Sequence, residues 1–112
     1  MPGNYPAPSG KQVFMPQFTI RVELHGLIFN SEALYAKLHD EMAKIGFNRQ
    51  VIFGGVAYEL PHAEYIGAKN ADAATVLDEA KAAAGKAHRG PAGIFVSAGC
   101  EWYMNGLKPA KA

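Results

Sequence analysis

The nine residues from Gln17 to His25 alternate between polar and apolar without a break. Phe18, Ile20, Val22 and Leu24 fall on one side. Thr19, Arg21, Glu23 and His25 fall on the other. A side-chain period of two belongs to an extended strand with one face in a core and one face open. Every other element must therefore supply cover for one side of this strand and leave the second side to water or a ligand.

The next segment changes period. Leu34, Tyr35, Leu38, Met42 and Ile45 recur at helical spacing. Asn30 and Ser31 are suited to the N-cap and Glu32 to the positive helix end. Gly46 predicts the stop, with Phe47 packing back on the last turn. Arg49 to Phe53 reads as a short strand, and Gly54-Gly55 as a tight hairpin turn into a strand from Val56 to Leu60. Pro61 has no N–H for a ladder and marks an edge or a bulge, after which Glu64 to Ile66 resumes the strand. Asn70 or Asp72 caps a second helix running to about Ala84 or Ala87. Its stripe is Ala73, Val76, Leu77, Ala80 and Ala84, and Gly85, Gly90 and Pro91 end it. Ile94 to Ala98 is a compact β-branched run, expected to be an inner strand, and Trp102 to Leu107 a last short one. The order β-α-β-β-α-β, with two helices to cover one sheet face, predicts an α+β, ferredoxin-like sandwich with an additional short C-terminal strand.

A length of 112 residues suits one domain, and 49% apolar residues suffice for its core. Residues 1–16 hold four prolines and two glycines and are expected to form a flexible N-terminal arm, with Met15 an alternative start. Residues 17–108 make the domain and 109–112 a frayed tail. The lone Cys100 has no partner for a disulfide or a CxxC pair, which points to a reducing, cytoplasmic setting. No apolar run is long enough for a membrane span, and the N-terminus lacks the layout of a secretory signal. A net charge of +1 argues against a dedicated duplex-DNA binder.

No Walker loop, GxSxG, HExxH or GxGxxG is present. The histidines His25, His39, His62 and His88 lack the spacing of a metal site, so neither a metal nor another cofactor is expected. Chemistry must come from single residues. Arg21, Glu23 and His25 put a cation, a carboxylate and an imidazole on one strand face. That set suits phosphate binding and proton transfer, but an ordinary solvated sheet face with a cross-strand ion pair is the commoner outcome of such a pattern. His39 and Lys37 lie on the first helix beside the Leu38 stripe, where His39 could simply flank the core and hydrogen-bond locally, and Arg49 at a strand start could be a plain surface cation. Tyr58 and Tyr65 could stack on bases or simply cover the sheet.

The chain also carries a longer pattern. It begins with Phe18 to His25 and continues through Tyr35-x-x-Leu38-His39-x-x-Met42 and Gly46-Phe47-x-Arg49. It resumes at Tyr58-x-Leu60-Pro61-x-Ala63-Glu64-Tyr65, Val76-Leu77 and Ala80, and closes on Trp102-Tyr103 and Gly106-Leu107. Over residues 17 to 108 this resembles a family of small phage- and proteobacteria-associated proteins. That family is grouped with the endoribonuclease antitoxin of type V toxin–antitoxin systems. The resemblance implies a ferredoxin-like fold related to CRISPR-associated nucleases, and RNA as substrate. It places His39, where the antitoxin has arginine, and Lys37 at the basic helix positions implicated in cleavage. No Asp ends the first strand, where the related nucleases hold a metal, so the implied mechanism is metal-independent.

Two functions follow as expectations. One is an antitoxin-like regulator that cleaves RNA, with His39, Lys37, Arg21 and His25 in the reaction and Arg49, Tyr58 and Tyr65 on the RNA. The other is a non-catalytic binding module of phage or mobile-element origin, a homodimer joined through sheet edges.

Overall fold

A computed structural model describes residues 16–99 and 103–110. In chain order the elements are β1 (Gln17–Leu24), α1 (Ser31–Lys44), β2 (Gln50–Phe53), β3 (Val56–Glu59), β4 (Glu64–Ala68), α2 (Ala73–Ala87) and β5 (Ala92–Ala98). The result is a mixed α+β domain. Residues 1–15 of the expected N-terminal arm, Cys100 and Trp102 lie outside the described residues.

β1 is the centre of a three-stranded antiparallel sheet in the order β4-β1-β5. Ile20 stands between Tyr65 of β4 and Val96 of β5, and Arg21 between Glu64 and Phe95. The alternation of β1 is realised in full. Phe18, Ile20, Val22 and Leu24 are buried, while Arg21 and Glu23 are exposed. The inward set packs with Leu38 and Met42 of α1 and with Val76, Ala80, Ala83, Ala84 and Ala87 of α2. Burying a large aliphatic or aromatic side chain contributes about 1.5–3 kcal/mol, so this one strand anchors much of the core.

The remaining strands do not join β1 in one continuous sheet. β2 and β3 form a separate two-stranded ribbon. Its turn residues Gly54 and Gly55 have φ of 60° and 80°, the pair of positive values that a two-residue hairpin of matching twist requires. The division from β4 lies at residues 60–63. Pro61 offers no N–H, and Ala63 takes φ 60°, which turns the chain out of extension. The Glu64 N–H closes this turn on the Pro61 carbonyl at 3.1 Å, and the Val22 N–H ties it to β1 through the Ala63 carbonyl, also at 3.1 Å. Asn48 still exchanges both backbone bonds with Ile66, so the base of the ribbon stays fastened to β4. Arg49 falls in the bend between that bridge and β2 instead of inside the strand.

α1 ends with a Schellman arrangement. Gly46, at φ 97°, bonds back to Ala43, and Phe47 to Met42, each at 3.0 Å. Phe47 is fully buried beside Met42, as its position after the glycine predicts. Asp72 caps α2 by accepting from the Thr75 N–H at 2.8 Å. Gly85 does not end this helix, which continues to Ala87.

The C-terminal strand is displaced from the expected span. Residues 103–107 are irregular, with Gly106 turning at φ 78°. Among the described residues of this segment pairing begins only beyond that turn. The Glu59 N–H donates to the Lys108 carbonyl and the Ala110 N–H to the Ala57 carbonyl, each at 2.9 Å, flanking a bridge from Tyr58 to Pro109. None of the described helices is long and apolar enough to cross a membrane.

Candidate functional site

The sheet separates the sequence-selected residues into two groups. Arg21 and His25 occupy the open face, exposed, with the 67%-exposed ring of Phe95 beside Arg21. The His25 carbonyl accepts from the His88 Nε2–H at 2.8 Å. Its imidazole lies over β5, so close to Gly93 that a Cβ there would stand 3.2 Å from Nε2. Lys37 is exposed on α1, two residues from His39 and therefore turned away from it. Tyr58 is half-buried on the ribbon, opposite Val51. These four do not meet His39.

Tyr65 and Arg49 do. Tyr65 shares the inward face of the sheet with its partner Ile20 and is completely buried. Its hydroxyl reaches His39 Nδ1 on α1 at 2.6 Å. His62, in the turn that breaks the sheet, lies edge-on to His39 with ring centroids 5.9 Å apart. Tyr35, one helical turn before His39, packs on His62 at 4.4 Å. The Tyr35 hydroxyl accepts from the Leu24 N–H at 2.9 Å, which fixes the cluster to the end of β1.

Arg49 completes the cluster. It donates one terminal N–H to the Leu60 carbonyl at 3.1 Å, and its buried Nε has no partner among the described residues. Buried donors are almost always paired, so the described residues leave this guanidinium under-satisfied. Arg49 and His39 share the lining of a depression of about 220 Å³ with Asn48, Gln50 and Glu59.

Electrostatics sets the protonation states. Burial first, then the Arg49 charge and then His62, hold His39 below the usual imidazole value, with Asp40 acting weakly the other way. Burial pushes the Tyr65 phenol well above its ordinary value, against the pull of Arg49. At neutral pH His39 is thus a neutral imidazole and Tyr65 an intact phenol. The tautomer that donates its Nδ1–H to the Tyr65 oxygen leaves the Nε2 lone pair free, the state a proton acceptor needs. Among the described residues no three His, Cys, Asp or Glu side chains are grouped to hold a metal ion.

Sequence reasoning alone did not bring out His62 and Tyr35. Tyr35 and His39 are spaced i, i+4 and so share a helix face, a signal available but ambiguous, since Tyr35 also fits the core stripe. His62 carries no local signal, because its place depends on the turn at Ala63. Comparison of the chain with protein families, with curated proteins and with solved structures finds no match.

Proposed function

We propose that the protein binds RNA at the depression beside His39 and cleaves it without a metal, as an antitoxin-like regulator acting in the cytoplasm. The observation that carries this reading is the unpartnered, buried Arg49 Nε next to a neutral His39 oriented by Tyr65. A phosphodiester oxygen in the depression meets the guanidinium edge that Arg49 contributes to its lining, and a guanidinium meets phosphate with a fork of donors. His39 Nε2 takes the proton of the ribose 2′-hydroxyl. That oxygen attacks phosphorus, and Arg49 stabilises the charge that develops on the phosphoryl oxygens. His62, edge-on to His39 and exposed, returns a proton to the leaving 5′-oxygen. Arg21, His25 and Lys37 have no place in this scheme, and Tyr65 serves as a positioning residue instead of a stacking platform. The split sheet is read as an interrupted ferredoxin-like arrangement, with the Asn48–Ile66 bridge standing where a continuous edge strand would run.

The test is incubation of the pure protein with messenger RNA in EDTA. Cleavage that His39→Ala and Arg49→Ala each reduce by about a hundredfold, the usual scale of acid–base catalysis, is expected. Cleavage no greater than that of His39→Ala removes the reading.

A second reading is a homodimeric binding module. It is favoured by β5, which among the described strands lies at the sheet edge, without any charged residue or internal proline and with Phe95 exposed. Natural edges usually carry such guards against pairing with another chain. A monomeric sedimentation value across micromolar concentrations excludes it.

A further inference from the structure

We infer a second site, a receptor for a small organic cation with an apolar tail, on the opposite face of the sheet from His39. There the irregular segment 103–107 and residues of β1, β2 and β4 line a half-open cavity of about 310 Å³. Val51, Leu60, Ile66 and Leu107 give it apolar walls, with Tyr103 at the rim. The volume lies at the lower end of the range for small-molecule sites, which combine apolar walls with a few polar groups.

Among the described residues the only charged group in the lining is Glu64. It is half-buried, and its carboxylate makes no hydrogen bond or ion pair among the described residues. Its register partner on β1 is Arg21, directly opposite on the same face. A cross-strand ion pair is the usual outcome of that placement. Instead Arg21 borders the neighbouring depression with Glu23 and Phe95, and no ion pair joins it to Glu64. A carboxylate among apolar walls is stabilised by a cation that shares its cavity.

Ligand chemistry follows from these parts. An ammonium or guanidinium group pairs with Glu64, its alkyl tail lies on Ile66 and Leu107, and Thr19 offers a hydroxyl acceptor. The Tyr103 ring, 81% exposed, is free to close over the cation. The occupant is a small molecule.

Titration of n-hexylamine into isotope-labelled protein tests this. Saturable shifts at the amides of Thr19, Ile66 and Leu107 are expected, with 1-hexanol binding about tenfold more weakly and Glu64→Gln losing about tenfold in affinity for the amine. Absence of saturation in the millimolar range, equal binding of hexanol, or unchanged affinity in Glu64→Gln would overturn the site. If Glu64→Gln does not fold, salt dependence of the wild type decides. Affinity for the amine must fall with sodium chloride while that for hexanol does not, and equal responses sink the proposal. A capped lysine tripeptide that binds more tightly than hexylamine would replace the small molecule by a peptide.

Discussion

His39 and Tyr65, 26 residues apart, join α1 to β4 through one hydrogen bond of 2.6 Å. The phenol comes from the sealed interior of the sheet and the imidazole from the half-open side of the helix. The bond therefore ties the protonation state of a reachable group to the packing of the core. Tyr65→Phe keeps the ring and removes only the oxygen. It should cost about 1 kcal/mol in urea unfolding, the usual net worth of such a bond. A double-mutant cycle with His39→Ala checks the assignment. The pair should be non-additive by at least about 0.5 kcal/mol, and strict additivity would show that the contact carries no energy.

Stability should depend on pH through His39. Its value in the folded protein lies below the ordinary 6.5. In the window between the two values the unfolded chain binds more protons, so stability rises with pH there. The contribution is complete above about pH 6.5 and is lost as pH falls from there towards the folded value. The melting temperature is therefore expected to drop on acidification through this window, and the drop to shrink in His39→Gln. Identical slopes for the two proteins would contradict it.

The fold was legible wherever the signal was local. The alternation of Phe18 to His25 placed β1, the Gly46-Phe47 pair placed the end of α1, and Gly54-Gly55 placed the ribbon turn. Relations between segments were harder to see. Pro61 signalled a break, but whether the sheet continued past it depended on Ala63 adopting a left-handed conformation, which alanine seldom does. The C-terminal pairing shifted to Lys108–Ala110 because Gly106, not the apolar pattern, sets where the chain turns onto β3. For the site, His39, Arg49 and Tyr65 could be named singly, while their meeting required the register of Ile20 with Tyr65. Arg21, His25 and Lys37 were chemically sensible choices on surfaces that do not face that meeting point.

Lys69 should prove more important than its position just past β4 suggests. Its ammonium donates to the Ile45 carbonyl at 2.6 Å, pairs with Glu79 at 2.7 Å and lies 5.3 Å from the centre of the Phe47 ring. It thus fastens the end of α1 to α2. Lys69→Met retains the apolar stem and should cost about 1–2 kcal/mol in thermal or urea unfolding. The pair is part-exposed, with Lys69 at 28% and Glu79 at 34%, so high salt should recover little of the loss. Glu79→Gln should therefore be milder than Lys69→Met. The reverse order would place the energy in the ion pair instead of the carbonyl bond.

Two glycines should respond to alanine in opposite directions. Gly67 sits where β4 passes under the Gly46-Phe47 turn. A Cβ there would run into the Gly46 carbonyl oxygen and stand 2.7 Å from a ring carbon of Phe47. Neither neighbour can yield, since the first is backbone held by the helix-ending bonds and the second is a fully buried ring. Gly67→Ala should destabilise by about 1–3 kcal/mol, the range for overpacking. Gly85 lies inside α2, exposed, with open space where its Cβ would be. There alanine restricts the unfolded chain and favours the helix, so Gly85→Ala should stabilise by about 0.5–1 kcal/mol. Urea midpoints of the two single variants against the wild type check both signs at once. A neutral Gly67→Ala would mean that α1 and β4 are not in close contact at this turn.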